Sequence, residues 1–155
     1  MGALRGHHEL DRRAVLLPRW MPEAGLSSKT LISIIDDDEE FRAALADLIQ
    51  VMGFTVEAFA SGMEFLASPN VRHTSCLIAD VHMPRMTGTE LHSQLVGSGY
   101  DIPTILITAY PDDSARARAL GQGVVCYLSK PVDELSLLGC VRLALQRARP
   151  DENSS

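Results

Sequence analysis

Short apolar stretches alternate with amphipathic ones between residues 30 and 149, which predicts strands and helices in turn. Five stretches predict strands: TLISII (30–35), FTVEAF (54–59), SCLIAD (75–80), PTILIT (103–108) and VVCYLS (124–129). A helical pattern follows each strand, most clearly at 39–53, where Gly53 is a stop signal, and at 133–147. Four of the five strands are nearly continuous in apolar residues, as expected where helices cover both faces of a parallel sheet. We therefore predict a doubly wound, open α/β sheet.

Local signals refine the boundaries of these elements. Ser61 with Glu64, and Thr87 with Glu90, have the spacing of a capping box and predict two helix starts. The stretch FTVEAF alternates between apolar and polar residues and directs Glu57 outward, which predicts an edge strand.

Composition indicates an acidic globular protein with one domain. The chain has 155 residues, of which 46% are hydrophobic and 22% charged, and its formal net charge is -6. The negative charge argues against direct nucleic-acid binding, which needs a basic face, and no apolar run reaches the roughly 18 residues of a membrane span. We predict a partly disordered N-terminal extension at 1–28, one domain at 29–149 and a C-terminal tail at 150–155.

The three cysteines, Cys76, Cys126 and Cys140, are odd in number and have no CxxC spacing. This pattern is typical of buried thiols and gives little support to a zinc site or a disulfide. We therefore predict free thiols in a reducing, cytoplasmic environment.

Polar side chains stand at the carboxyl ends of four predicted strands. Asp36 and Asp37 follow the first strand, Asp80 ends the third, Thr108 ends the fourth, and Lys130 follows the fifth. Parallel strands place these ends on one rim of the sheet, where doubly wound proteins bind their ligands. We therefore expect the five side chains to converge.

Three carboxylates on one rim need positive charge beside them. Two of them about 4 to 5 Å apart repel by roughly 3 to 4 kcal/mol at an effective dielectric constant near 20. A lysine ammonium relieves part of this repulsion, and Mg2+, which prefers carboxylate and phosphate oxygens, fits the remainder. The next three acids, Asp38, Glu39 and Glu40, are expected in the first turn of the following helix, where they complement its dipole.

Four segments carry a resemblance to a known family. IIDDDEEFR, LIADVHMPRMTG, PTILITAY and YLSKP, in this order and spacing, are similar to the receiver domain of bacterial two-component response regulators, and in particular to FixJ/NarL-type receivers. The resemblance covers roughly residues 29 to 148. It implies a flavodoxin- or CheY-like fold, in which five parallel strands take the order 2-1-3-4-5 with helices on both faces.

The resemblance also implies a phosphorylation site with Mg2+ as its cofactor. Asp80 would be the phosphoacceptor. Asp37 would bind the metal directly, and Asp36 would bind it mainly through water. The backbone carbonyl of His82 would complete the protein ligands, and a cis peptide is expected before Pro131.

The remaining family positions concern the response to phosphorylation. Lys130 would neutralise the phosphoryl group, Thr108 would move to hydrogen-bond it, and Tyr127 would turn inward as the threonine moves. His82 and Tyr110 stand two residues beyond the phosphoacceptor and the threonine, where side chains tune the access of water to the acyl phosphate. Their bulk favours a shielded site and slow loss of phosphate, although both could equally just cover the mouth of the pocket.

Partners follow from the same resemblance. A sensor histidine kinase or a phosphotransfer protein would donate the phosphoryl group to the surface around the helix after strand one. The segment from residue 112 to the last helix would face a downstream protein target or output domain, and receivers of this type often form homodimers when phosphorylated. Such a domain catalyses only its own phosphorylation and dephosphorylation. The sequence contains no helix-turn-helix, and it leaves open whether this receiver stands alone or was cut from a longer regulator.

Two alternatives remain open. One is a phosphate-independent pseudo-receiver that acts only as an interaction module. The other is a Mg2+-dependent phosphohydrolase that forms an aspartyl phosphate. Asp36 and Asp38 have the D-x-D spacing of haloacid-dehalogenase-like enzymes, but Glu40 replaces their Thr or Val.

Overall fold

The computed structural model describes residues 30–148, so the predicted extension and tail lie outside the described residues. Five parallel strands form one sheet in the order β2-β1-β3-β4-β5. A helix follows each strand along the chain, which confirms the predicted doubly wound sheet and its strand order.

The elements have the following bounds. The strands are β1 (Leu31–Ile35), β2 (Thr55–Phe59), β3 (Thr74–Asp80), β4 (Thr104–Thr108) and β5 (Cys126–Ser129). The helices are α1 (Glu39–Val51), α2 (Gly62–Leu66), α3 (Gly88–Gly97), α4 (Asp113–Gly121) and α5 (Glu134–Arg147), and a 3-10 turn precedes β3 at Val71–His73.

Burial is greatest in the centre of the sheet and lower at its edges. Every residue of β1 and β4 is buried, whereas β2 and β5 are at most half-buried. The prediction of an edge strand at β2 is confirmed. Glu57 on this strand is half-buried, because its Oε2 accepts a 2.7 Å hydrogen bond from Asn70 Nδ2. The apolar pattern of VVCYLS did not reveal that β5 is also an edge strand.

Two apolar clusters lie on opposite faces of the sheet. Ile105 and Ile107 pack in the cluster that includes residues of α1 and α5, whereas Leu106 between them packs in the cluster under α2, α3 and α4. This alternation follows from the period of two along a strand. The buried hydroxyls of Ser33 and Thr74 satisfy each other across the sheet at 2.8 Å. Both faces of the sheet are therefore covered by buried apolar side chains.

The helix starts agree with the sequence in part. Thr87 and Glu90 form the predicted capping box at α3, with both bonds at 3.0 Å. At α2, the Ser61 hydroxyl accepts the N–H of Glu64, but the Glu64 side chain accepts the N–H of Ala60, one residue before the cap.

The start of α1 differs from the prediction at one acid. Asp38 is the N-cap of α1 and not a residue of its first turn, because its carboxylate accepts the N–H groups of Glu40 and Phe41. Glu39 and Glu40 do lie in the first turn, as predicted.

The cysteines differ from the prediction at two of three positions. Cys126 on β5 and Cys140 on α5 form a disulfide, although free thiols were predicted. Their Cα atoms are 6.1 Å apart, a separation that the packing of α5 on the sheet creates and that the sequence spacing does not show. Cys76 is free and buried as predicted, and burial raises the pKa of its thiol to about 12.

Gly88 allows a close approach between α3 and the end of β3. A Cβ atom at this position would lie 2.4 Å from the backbone oxygen of Asp80. We expect Gly88→Ala to lower the free energy of unfolding by about 1 to 3 kcal/mol, because the clash is with backbone that cannot rotate away. The measurement is urea denaturation monitored by circular dichroism.

Gly139 provides the matched control. It lies inside α5, and a Cβ there would meet nothing within 4 Å. Gly139→Ala should raise stability by about 0.5 to 1 kcal/mol through the better helix propensity of alanine. Equal effects of the two substitutions would contradict the steric account of Gly88.

Candidate functional site

Three carboxylates meet at the rim formed by the carboxyl ends of the strands. Asp36 and Asp37 follow β1, Asp80 is the last residue of β3, and β1 and β3 are neighbours in the sheet. One oxygen of each carboxylate lies within 4.8 Å of the other two. Asp36 and Asp80 are buried, with 2% and 5% of their surface exposed, whereas Asp37 is exposed. The structure thus brings together the three acids that the strand ends predicted.

The ammonium of Lys130 joins two of these carboxylates. Its Nζ lies 2.9 Å from Asp36 Oδ2 and 3.2 Å from Asp80 Oδ1. The backbone N–H of Lys130 donates to the carbonyl of Thr108 at 2.8 Å, which fixes the residue beside the end of β4. The peptide bond between Lys130 and Pro131 is cis, as the resemblance implied.

Both the carboxylate and the backbone of Asp36 form hydrogen bonds within the protein. Its Oδ1 accepts the N–H of Asp38 at 2.8 Å, while its Oδ2 accepts a hydrogen bond from Lys130. The Asp36 carbonyl accepts a 2.7 Å bond from Arg42 Nη1, and its N–H donates to the carbonyl of Phe59. Both carboxylate oxygens of Asp36 therefore already have protein partners.

The electrostatics of the cluster show that its charges are not fully balanced. Burial raises the pKa of Asp80, the charge of Asp36 raises it further, and the contact with Lys130 only partly opposes these effects. Burial disfavours the charged form of Lys130, but its hydrogen bond to Asp36 and the two nearby carboxylates outweigh this, so its pKa is raised. Lys130 is therefore a charged ammonium, and its charge only partly neutralises the three carboxylates, so the site favours a further cation.

Of the two predicted switch residues, Thr108 lies beside Lys130, whose backbone N–H donates to its carbonyl, and Tyr127 packs in an apolar cluster. Thr108 is fully buried at the end of β4, and its hydroxyl accepts the N–H of Tyr110 at 3.0 Å. Tyr127 on β5 is half-buried and packs against the apolar cluster under α2, α3 and α4.

His82 and Tyr110 lie beside each other at the surface. Their rings form an edge-to-face contact with centroids 5.5 Å apart, and Tyr110 is 71% exposed. The two residues follow β3 and β4, which are neighbours in the sheet, so the contact joins the two loops that leave the rim.

Two residues of α1 also contribute to the site, although their position in the sequence did not predict this role. Phe41 places its ring 4.1 Å from Lys130 Nζ, and Arg42 binds the Asp36 carbonyl. Phe41 falls within the helical pattern predicted at 39–53, and that pattern alone gives it no role in the site. The available signal was its position three residues after the N-cap Asp38, which keeps it in the first turn and close to the rim.

A parallel sheet in the order 2-1-3-4-5, with three acids and a lysine at one rim, defines the receiver class of signalling proteins. A family model described as "Response regulator receiver domain" matches residues 32–142. The chain therefore belongs to the response regulator receiver domain family of two-component systems. Its members are signalling domains and not classical enzymes.

Curated relatives agree with this assignment. The chain is 38% identical over 126 residues to "Response regulator protein TodT" of Pseudomonas putida, which covers 81% of this chain and 55% of the relative. It is 35% identical over 133 residues to "Nodulation protein W" of Bradyrhizobium diazoefficiens, with 84% and 59% covered. The chain thus spans little more than half the length of these relatives.

Solved structures show the same fold. The FixJ-N crystal structure superposes with a TM-score of 0.70 at 31% identity and covers 77% of this chain and 96% of that one. The response regulator StyR superposes with a TM-score of 0.73 at 34% identity, with 81% and 64% covered. Within residues 30–148, no helix has the length and apolar character needed to cross a membrane.

The raised pKa of Asp80 predicts how stability depends on pH. Because the folded state favours protonated Asp80, its contribution is fully present below the ordinary value of 3.8 and is lost as pH rises through the raised value. Without divalent cations at about pH 7, Asp80→Asn should therefore raise the free energy of unfolding by about 1 kcal/mol.

Two further measurements check the origin of this effect. The advantage of Asp80→Asn should shrink as the pH falls through the raised pKa of Asp80, because the wild-type carboxyl then also becomes neutral. Added MgCl2 should stabilise the wild type more than the variant, since a ligand stabilises the state that binds it. A variant advantage that is the same at all pH values would contradict the electrostatic explanation.

Proposed function

We propose that this receiver is a phosphorylation-activated switch in which Asp80 accepts a phosphoryl group from a sensor histidine kinase or a phosphotransfer protein. The observation that carries the proposal is the Lys130 ammonium, which lies within 3.2 Å of both Asp36 and Asp80 at the rim. This arrangement supplies a carboxylate nucleophile and a cation for the incoming phosphate at the same place.

The chemistry requires little beyond positioning. A carboxylate oxygen of Asp80 attacks the phosphorus, and the bond from phosphorus to the donor histidine nitrogen breaks. The electron pair of that bond stays on the imidazole nitrogen, which takes up a proton from solvent, so that the donor leaves as a neutral histidine. Lys130 neutralises charge on the phosphoryl oxygens, which carry about -1.5 to -2 in the product.

The donor set fits Mg2+. Three carboxylates within 4.8 Å of one another, only partly neutralised by one lysine, match the preference of this ion for oxygen ligands. Asp37, Asp80 and the His82 backbone carbonyl would hold it directly. Asp36 would contribute through water, since its oxygens already bind Asp38 and Lys130. When bound, the ion offsets charge on the phosphoryl group and on the carboxylates.

The response to phosphorylation would pass through Thr108 and Tyr127. The Thr108 hydroxyl accepts the N–H of Tyr110 in this structure, and in the proposed active state it turns to donate to a phosphoryl oxygen. Its movement would free space for the half-buried ring of Tyr127, which would turn inward and change the surface of β5.

The donor would dock beside α1. A largely apolar groove lies beside this helix, and we call its eight lining residues the donor groove: Phe41, Ala44, Leu45, Leu48, Lys130, Pro131, Val132 and Glu134. An apolar groove that opens onto the phosphorylation site suits a partner that must bring a histidine to Asp80.

The remaining assignments follow the family. The face formed by α4, β5 and α5 would bind a downstream target or output domain, and it would form a homodimer upon phosphorylation. We place the receiver domain at 29–149 in a cytoplasmic protein, with the extension at 1–28 and the tail at 150–155 outside it.

Labelling with a small phosphodonor tests the proposal. With acetyl phosphate and Mg2+, each chain should take up about one phosphoryl group, because a single carboxylate forms the covalent adduct. Asp80→Asn or removal of Mg2+ with EDTA should reduce labelling to background, measured by intact-protein mass spectrometry. Absence of labelling in the wild type would favour the pseudo-receiver, and multiple turnover of a phosphate ester would favour the phosphohydrolase.

The exposed pair His82 and Tyr110 gives a second prediction. If these rings limit the access of water to the acyl phosphate, His82→Ala and Tyr110→Ala should each shorten its lifetime by about two- to tenfold. The measurement is the decay of phosphorylated protein after the donor is removed. His73→Ala is the matched control, because His73 is exposed at the other end of β3. Unchanged decay in both variants would mean that the rings only cover the pocket.

A further inference from the structure

The ammonium of Lys130 has an aromatic neighbour as well as its two carboxylates. The ring centroid of Phe41 lies 4.1 Å from Nζ, within the range of a cation–π contact. The lysine side chain is 18% exposed, and the half-buried Phe41 covers one side of the ammonium. The cation is therefore enclosed between an aromatic ring and the pair Asp36 and Asp80.

These two kinds of partner would respond differently to a phosphoryl group. The carboxylates are anions that repel the incoming phosphate, and Asp80 loses its charge when it becomes an acyl phosphate. An aromatic face attracts the ammonium through its quadrupole and carries no net charge that would repel the phosphate. The ring contact can thus persist while the ammonium exchanges one anionic partner for another.

We propose that Phe41 is a positioning residue that holds the Lys130 ammonium over the phosphorylation site, an inference that rests on the proposed function. The helix start makes this placement rigid. Phe41 follows the N-cap Asp38 by three residues, and its N–H donates to the Asp38 carboxylate. Arg42 next to it binds the Asp36 carbonyl at 2.7 Å, so the first turn of α1 is attached to the rim.

The position of Phe41 also connects the lysine with the donor groove, since both residues line it. A protein donor seated there would exclude water from the contact between ring and ammonium. Cation–π contacts strengthen when they are desolvated. Loss of the ring should therefore slow transfer from a protein donor at least as much as transfer from a small donor.

The test compares substitutions that keep or remove the aromatic face. Phe41→Leu should lower the rate constant of labelling by acetyl phosphate about two- to fivefold, the size expected for a partly exposed cation–π contact. Phe41→Tyr keeps the ring and should restore the wild-type rate. Val51→Ala changes an exposed residue at the far end of the same helix, outside the donor groove, and should leave the rate unchanged. Thermal unfolding verifies that each variant is folded at the assay temperature, and Phe41→Met replaces Phe41→Leu if it is not.

A double-mutant cycle separates positioning from a structural role. In a Lys130→Met background, Phe41→Leu should cause no further loss of rate, because the ring acts only through the ammonium. Wild-type rates in Phe41→Leu, equal losses in Phe41→Leu and Phe41→Tyr, or an undiminished loss in the Lys130→Met background would each overturn the proposal. Failure of the wild type to label at all would instead overturn the proposed function.

Discussion

Repulsion among three carboxylates at one rim is the constraint on which the rest of the site depends. Asp36, Asp37 and Asp80 are brought together by neighbouring strands, and one ammonium binds two of them. Because a single positive charge cannot balance three negative ones, the site favours an additional cation. The two apolar clusters stabilise the sheet, so packing offsets the cost of bringing the three carboxylates together.

Much of this arrangement could be predicted from the sequence, because it depends on strand order and on residues at strand ends. Four of the five strands are short and nearly continuous in apolar residues, so their last residues are well defined, and parallel strands present these ends on one side of the sheet. The convergence of Asp80 with Lys130, 50 positions further along the chain, follows from that rule and from the family resemblance. The capping box of Thr87 and Glu90 was equally predictable, since it depends on local spacing alone.

Other features depend on packing between elements that are distant in sequence, and the pattern of one segment cannot reveal them. The disulfide between Cys126 and Cys140 requires α5 to pack against β5 so that the two Cα atoms come within bonding range, here 6.1 Å. The ring of Phe41 reaches Lys130 only because α1 and the loop after β5 are neighbours. The predicted capping box at α2 was wrong in one bond, because the Glu64 carboxylate accepts the N–H of Ala60 and not that of Ser61. Spacing alone does not distinguish these two adjacent N–H groups.

Strand β5 is connected to both faces of the sheet through consecutive residues. Cys126 is bonded to α5 on one face, and Tyr127 packs with the cluster on the other. The disulfide attaches the main chain of β5 to α5 directly beside Tyr127, so a reorientation of this ring, as proposed, would take place mainly through its side-chain torsions. A conformational change transmitted through β5 would then alter the shape of the local surface more than the path of the main chain.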